Sequence, residues 1–190
     1  MNNEFIIKNR NAIRRLTLSA MFLAIGIILP FFTGQIQHVG NMLLPMHLPV
    51  FLCGMICGWR YGGAVGLILP LLRSLLFGMP PMYPNAVGMA VELEVYGIVA
   101  GFIYGKLKRQ SPLTVYIALI PAMLIGRAVW GVSQIILLNV RQDAFTWQMF
   151  TAGAFFNAIP GIIIQLILIP SVMAVLHYTG VMKFRKESEL

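Results

Sequence analysis

Apolar stretches of membrane-spanning length follow one another along almost the whole chain, separated by short polar, basic or proline-rich segments. A helix needs roughly 20 apolar residues to cross the hydrocarbon core of a bilayer, so six such helices would use most of the 190 residues. Charged residues make up 11% of the chain and the mean hydropathy is +0.81, whereas a soluble domain carries about 25% charged residues. The sequence therefore predicts an all-α membrane protein, with a single integral membrane domain over residues 1–190 and basic ends at about 1–11 and 179–190.

The apolar runs predict six transmembrane helices, which we expect over Asn11–Phe32, Met46–Gly58, Tyr61–Phe77, Asn85–Gly105, Leu113–Val140 and Trp147–Tyr178. The second is short for a full span, so we expect it to be tilted or joined to part of the preceding loop. Leu16–Phe32 follows a basic segment but lacks a small-residue cleavage site. We therefore interpret it as the first span and not as a cleaved signal peptide.

The basic residues that give the chain its net charge of +8 lie at the ends of the apolar runs. With six helices, those of four segments fall on one side of the membrane: Lys8, Arg10, Arg14 and Arg15; Arg60; Lys106, Lys108 and Arg109; and Lys183, Arg185 and Lys186. The opposite side has Arg141, offset by Asp143. Because basic loops face the cytoplasm, both termini are predicted to be cytoplasmic. The positive charge is thus explained by topology, and no nucleic-acid partner is expected.

Few charged residues lie well inside the predicted spans, away from their ends: Arg73, Glu92, Glu94 and Arg127. A charge at mid-bilayer costs about 2.5–3.5 kcal/mol on insertion scales, so it should be paired or face a cavity. At 1.5 Å per residue, Glu92 lies about 10 Å below the outer end of helix 4. Most polar groups in the spans share this depth, between the outer half and the middle. A through-channel would place polar groups along its whole length, so the pattern predicts an outward-facing pocket.

Three sets of residues have a structural interpretation that involves no ligand. Arg73 and Glu92 could form an ion pair that holds helix 3 to helix 4 and contacts no ligand. Cys53 and Cys57 lie four residues apart on one helix face, and without further ligands nearby they are expected to be small buried residues and not a zinc or redox site. Glycines recur every fourth residue at 54, 58, 62 and 66, and such spacing favours close packing of helices.

Sequence motifs for energy conversion and catalysis are missing. The chain has no G-x-x-x-x-G-K-[ST] phosphate-binding motif, no H-E-x-x-H and no G-x-S-x-G. We therefore expect a protein that is not an enzyme, holds no metal or cofactor, and cannot power transport without partners.

The sequence resembles the S components, the substrate-binding membrane subunits, of energy-coupling factor transporters. The resemblance covers about Ala12 to Tyr178. It rests on the chain length, the six predicted helices, the Ala20-x-x-x-Ala24 element on helix 1 and the long loop after that helix. The segments 43–50 (LLPMHLPV) and 71–82 (LLRSLLFGMPPM) are similar to a vitamin-uptake branch of the family.

The resemblance implies that the protein binds a vitamin from outside and lies in the bacterial inner membrane as a multi-pass protein. It also implies that the helix 1 face with Ala20 and Ala24 docks onto a transmembrane coupling subunit, which two cytoplasmic ATPases drive. The family builds its site from helices 4–6 and the first outer loop. Depth and helix face then favour Glu92, Arg127, Trp130, Gln134 and Asn157 as substrate-binding residues, with Arg73 and His47 near the mouth.

The vitamin stays open at this point. Arg73 or Arg127 could bind a carboxylate, which favours pantothenate or niacin. Trp130 and Tyr83 could stack on a flat ring, which favours riboflavin, niacin or the base of a cobalamin precursor. The alternative class is a small proton- or ion-coupled secondary transporter of an organic solute. Such a protein should show internal repeats and interrupted helices, and no clear repeat is visible.

Overall fold

The computed structural model describes residues 3–33, 44–107, 111–140, 146–154 and 158–180. These residues are almost entirely helical, and their α-helices are α1 (Asn3–Ile28), α2 (His47–Cys57), α3 (Trp59–Phe77), α4 (Val87–Lys106), α5 (Pro112–Val140), α6 (Trp147–Ala154) and α7 (Ile159–Tyr178). A 3-10 turn, Leu29–Thr33, extends α1, and a π-turn, Met82–Ala86, precedes α4. An apolar chain favours helices in lipid because each helix satisfies its own backbone hydrogen bonds.

Within the described residues, five segments are long and apolar enough to cross a membrane: Asn9–Phe32, Trp59–Phe77, Met82–Lys106, Pro112–Val140 and Ile159–Tyr178. The expected second span corresponds to α2, which has 11 residues and extends about 16 Å at 1.5 Å per residue. That length is about half of the hydrocarbon core. The six-span count therefore stays a prediction, and residues 34–43, which would have to lengthen this span, lie outside the described residues.

The helix expected over Trp147–Tyr178 is described as two helices, α6 and α7, and residues 155–157 between them lie outside the described residues. The difference has a local reason, because Pro160 occupies the first turn of α7. Proline is tolerated in a first turn, where its missing N–H costs no helical hydrogen bond, but it disrupts a helix interior.

Helix α4 is the centre of the bundle and packs against α2, α3 and α5. α1 lies against α2 and α3, and α7 lies against α5 and α2. The chain reverses between α2 and α3 at one residue, Gly58, whose φ of 101° suits glycine. Helices α3 and α5 run antiparallel to α4, whereas α2 runs parallel to it, so the first turns of α2 and α4 lie near the middle of α5. The buried ionisable groups lie in this region.

Candidate substrate-binding site

Glu92 on α4 has two partners at the same carboxylate oxygen. The Arg127 Nη1 atom of α5 lies 2.9 Å from Glu92 Oε1, and the Tyr96 hydroxyl donates a hydrogen bond to that oxygen at 2.7 Å. Tyr96 is one helical turn from Glu92, so both side chains project from the same face of α4. Glu92 is 2% exposed and Arg127 is 6% exposed. The three side chains therefore form a buried, charge-balanced network between α4 and α5.

His47, at the first residue of α2, lies on the other side of this network. Its Nε2 atom is 3.9 Å from Glu92 Oε1, which is within ion-pair range but too long for a hydrogen bond. The imidazole packs on Tyr96, with ring centroids 5.4 Å apart. Neither ring nitrogen has a hydrogen-bond partner among the described residues, although the side chain is buried. Since an unpaired buried polar group costs about 1–3 kcal/mol, His47 is a candidate for contact with a bound polar group.

The turn that begins α2 is tied to the bundle through Leu44. Leu44 has a φ of 51°, which is unusual for a residue other than glycine. The Leu44 carbonyl accepts a hydrogen bond from the His47 backbone N–H at 3.1 Å and a longer one from the Gln165 side-chain amide of α7 at 3.5 Å. This turn places His47 over Glu92 and links α2 to α7.

A cavity of about 230 Å³ lies beside the network, between α4, α5 and α7. Its lining is mostly apolar and is formed by Tyr96, Ile120, Met123, Leu124, Arg127, Ile162, Gln165 and Leu166. A concave, mostly apolar space with a few convergent polar groups is the usual form of a small-molecule site. Arg127 and Gln165 supply those polar groups here, and Tyr96 supplies an aromatic face.

Arg73 does not pair with Glu92, so the hypothesis of an ion pair between helices 3 and 4 is wrong. The Arg73 Nη1 atom donates a hydrogen bond to the Ile27 carbonyl of α1 at 2.6 Å. Its guanidinium carbon lies 5.1 Å from the centroid of the Phe31 ring and 5.5 Å from that of Phe77. Arg73 thus joins the C-terminal ends of α1 and α3, while Glu92 pairs with an arginine of α5.

The other predicted binding residues do not line this cavity in the part of the chain that the structure describes. Gln134 is buried, and its amide lies against Gly88 at the start of α4. Trp130 stacks on Phe150, with ring centroids 6.3 Å apart, and the Tyr83 hydroxyl donates a hydrogen bond to the Leu137 carbonyl. None of these three lines the cavity. His47, expected near the mouth, is instead enclosed in the bundle, and Asn157 lies outside the described residues.

Sequence reasoning did not select Tyr96 as a site residue, although a signal was present. Tyr96 follows Glu92 by four residues, the spacing that lets two helical side chains meet. Gln165 was not selected either. A rule that grouped all polar residues by depth and by helix face would have found both.

The face of α1 with the small-residue pair is free in the described structure. Ala20 and Ala24 are both exposed, as are Ile13, Thr17 and Ile28 at the same helical spacing. Gly26, on the opposite face, packs so closely on Leu69 of α3 and Pro49 of α2 that an added Cβ would overlap them. One face of α1 therefore packs on the bundle, and the face with Ala20 and Ala24 points away from it.

These features define the class of protein: a multi-pass membrane protein with a buried polar network beside a small cavity. The family model of the ECF transporter, substrate-specific component, matches residues 14–173, and the chain belongs to that family. This confirms the resemblance found in the sequence and identifies the chain as a substrate-specific subunit, from a family of transporter components and not of enzymes. Comparison with curated proteins and with solved structures gives no significant match.

Proposed function

We propose that this protein is the high-affinity subunit of an ECF-type importer that binds a vitamin or vitamin precursor from outside the cell. The observation that carries the proposal is the buried Glu92–Arg127–Tyr96 network at the wall of the cavity, in a chain of the substrate-specific family. Burying an ionisable group in a membrane protein is unfavourable in free energy, so such groups usually mark substrate pathways. The candidate ligands are pantothenate, niacin, riboflavin and the base of a cobalamin precursor.

The binding residues proposed for this ligand are Arg127 and Gln165, with Tyr96 as an aromatic wall and Glu92 as the group that orients Arg127. His47 offers the unpaired imidazole. Of the residues favoured by sequence, Trp130 and Gln134 belong to the proposal as residues beyond this cavity, toward the end of α5. Asn157 remains a sequence prediction. Arg73 is assigned to helix packing instead.

A thermal-shift screen of the purified protein against water-soluble vitamins and their precursors tests the proposal. A ligand at 100 times its Kd stabilises the folded protein by about 2.7 kcal/mol, so one compound should raise the unfolding temperature clearly. Arg127→Gln should abolish that shift. Arg60→Gln, which removes an exposed cation stacked on Trp59, should keep it. Absence of any shift across the screen would contradict the proposal.

We further propose that the exposed face of α1 docks on a transmembrane coupling subunit that two cytoplasmic ATPases drive. Small residues four apart allow close helix approach in lipid, where association depends on packing, and Ala20 and Ala24 are exposed. Ala20→Trp with Ala24→Trp should prevent co-purification with the coupling module and leave vitamin binding unchanged. Ala128→Trp, at an exposed alanine of α5, is the matched control and should preserve the complex. Retained assembly in the α1 double variant would contradict this interface.

The proposed location is the bacterial cell membrane, with the whole chain as one membrane domain and both termini in the cytoplasm. In that orientation the described ends of α1 and α7 that carry Arg10 and His177 face inward, and the turn before α2 faces outward.

A further inference from the structure

We propose that the ligand of this cavity is a small molecule without net charge, and not one of the carboxylate vitamins. The inference rests on the proposed function, which left both kinds of ligand open. It follows from the charge balance around the cavity and from the directions in which the remaining ionisable groups point.

The cation that lines the cavity is already neutralised. Of the eight lining side chains, Arg127 is the one with a formal charge, and Glu92 Oε1 lies 2.9 Å from its Nη1 atom. A ligand carboxylate beside Arg127 would also lie near the Glu92 carboxylate, and both of these side chains are buried. Because a buried charge without a counter-charge is strongly unfavourable, an anion would have to break an existing pair or remain uncompensated.

Among the described residues near the cavity, no second cation is available to balance the charge of a ligand carboxylate. Arg73 is held by the Ile27 carbonyl and two phenylalanine rings. His47 faces the same oxygen of Glu92 and is not part of the lining. Among the described residues around the cavity, the formal charges therefore sum to zero when His47 is neutral.

The same groups are suited to a polar but neutral ring. The guanidinium of Arg127 has five N–H donors, and Glu92 engages one edge of it, so donors remain for a carbonyl or ring nitrogen. The Gln165 amide offers a donor and an acceptor, and Met123 and Leu166 provide apolar contacts for the faces of a ring. A volume of about 230 Å³ is below the range of about 300–1,000 Å³ for sites of drug-sized ligands, which favours a ligand of one or two rings.

Ligands that differ in charge alone test this inference. We would measure the affinity of the purified full-length protein at pH 7 for nicotinate and nicotinamide, and for pantothenate and its neutral alcohol. Dimethylbenzimidazole serves as a neutral two-ring probe, and riboflavin and the remaining vitamins complete the panel. The expected result is that the tightest ligand is neutral and that, in any pair that binds, the neutral member binds at least ten times more tightly.

Two other results are distinguishable. If a carboxylate or a cation binds most tightly, this inference is overturned and the proposed vitamin-binding function stands. If no compound binds, the proposed function itself fails, and the inference fails with it.

The variant Glu92→Gln gives a second measurement. It leaves the charge of Arg127 uncompensated, so the affinity ratio should shift at least tenfold toward the carboxylate member of a pair. Glu94→Gln makes the same change of charge two residues away, on a different face of α4, and should leave the ratio unchanged. An unchanged ratio in folded Glu92→Gln protein, or an equal shift in both variants, would contradict the proposal. If Glu92→Gln does not fold, the wild-type comparison of matched ligands decides.

Discussion

One carboxylate oxygen of Glu92 pairs with the Arg127 guanidinium, accepts a hydrogen bond from the Tyr96 hydroxyl and lies near the His47 imidazole. An isolated carboxylate in the interior of a membrane protein would be strongly unfavourable, whereas a hydrogen-bonded pair is tolerated. Breaking such a pair leaves an uncompensated charge, and replacing both partners with apolar groups of similar size is much less costly. The network therefore contributes to stability mainly by preventing a lone buried charge.

This asymmetry gives a prediction for the ion pair. Arg127→Met should lower the free energy of unfolding by roughly 3–5 kcal/mol, because it leaves Glu92 buried and unpaired. The double variant Glu92→Leu, Arg127→Met should recover much of that loss but bind no vitamin. Unfolding in detergent, monitored with and without ligand, measures both effects. Additive losses in the double variant would contradict the pairing of Glu92 with Arg127.

Arg73 provides a contrasting prediction, since it is as buried as Glu92 but lies between α1 and α3. Arg73→Gln should lower the free energy of unfolding by about 1.5–3 kcal/mol, the usual value of a hydrogen bond to a charged group. It should leave vitamin affinity within twofold of wild type. Thermal unfolding and a binding titration on the same preparation check this. A tenfold loss of affinity at unchanged stability would place Arg73 in the binding site instead.

At the level of helices, glycines determine how closely α2 and α3 approach α4. A Cβ on Gly62 would overlap the backbone of Gly54, one on Gly97 would overlap that of Gly62, and one on Gly66 would overlap that of Leu93. Such contact of backbone with backbone leaves no flexible side chain that could move aside. The sequence interpretation of the four-residue glycine spacing as internal packing is confirmed for Gly54, Gly62 and Gly66.

Gly62→Ala should therefore destabilise the protein by about 1–3 kcal/mol, as over-packing generally does. Gly105→Ala is the matched control, because a Cβ at that position of α4 meets nothing within 4 Å. It should be neutral or stabilising by about 0.5–1 kcal/mol, since alanine is favoured over glycine in a helix. Unfolding temperatures of the two variants decide the question. Equal effects would indicate that α3 does not pack this closely on α2 and α4.

Over the whole molecule, the predicted asymmetry between the two sides of the membrane carries most of the functional argument. The described residues agree in one respect: Trp59 at the start of α3 lies against Gly101 near the end of α4, so Arg60 and Lys106 belong to the same side of the bundle. Arg127 and Glu92 lie well inside α5 and α4. Whether the basic side is cytoplasmic stays a prediction.

Cysteine labelling in whole cells tests that orientation. Cys53 and Cys57 are buried and free, so both can be replaced by alanine to give a cysteine-free background. In that background, Asp143→Cys should react with a membrane-impermeant maleimide in intact cells. Asn2→Cys and Ser188→Cys should react after permeabilisation alone, because the basic ends are expected in the cytoplasm. Labelling of either terminus in intact cells would contradict the topology.

Local sequence properties were sufficient for the helical class, for most helix positions and for the family. The ends of α3 and α5 differ from the predicted ends by at most two residues, because a continuous apolar run in lipid has one favourable backbone conformation. Helix length gave Glu92 and Arg127 a similar predicted depth, so both could be selected as site residues, and their side chains do meet. The confirmed burial of Cys53 and Cys57 followed from their apolar surroundings.

The pairing of side chains could not be derived in this way. Which arginine reaches Glu92 depends on the rotation of each helix and on the glycine contacts that bring α3, α4 and α5 together, and these are contacts between residues distant in sequence. Arg73 and Arg127 have similar surroundings in sequence, yet one meets the Ile27 carbonyl and the other meets Glu92. Hydropathy reports how deep a side chain lies along the membrane normal, whereas its partner is set by position within the membrane plane, which depends on how the helices pack.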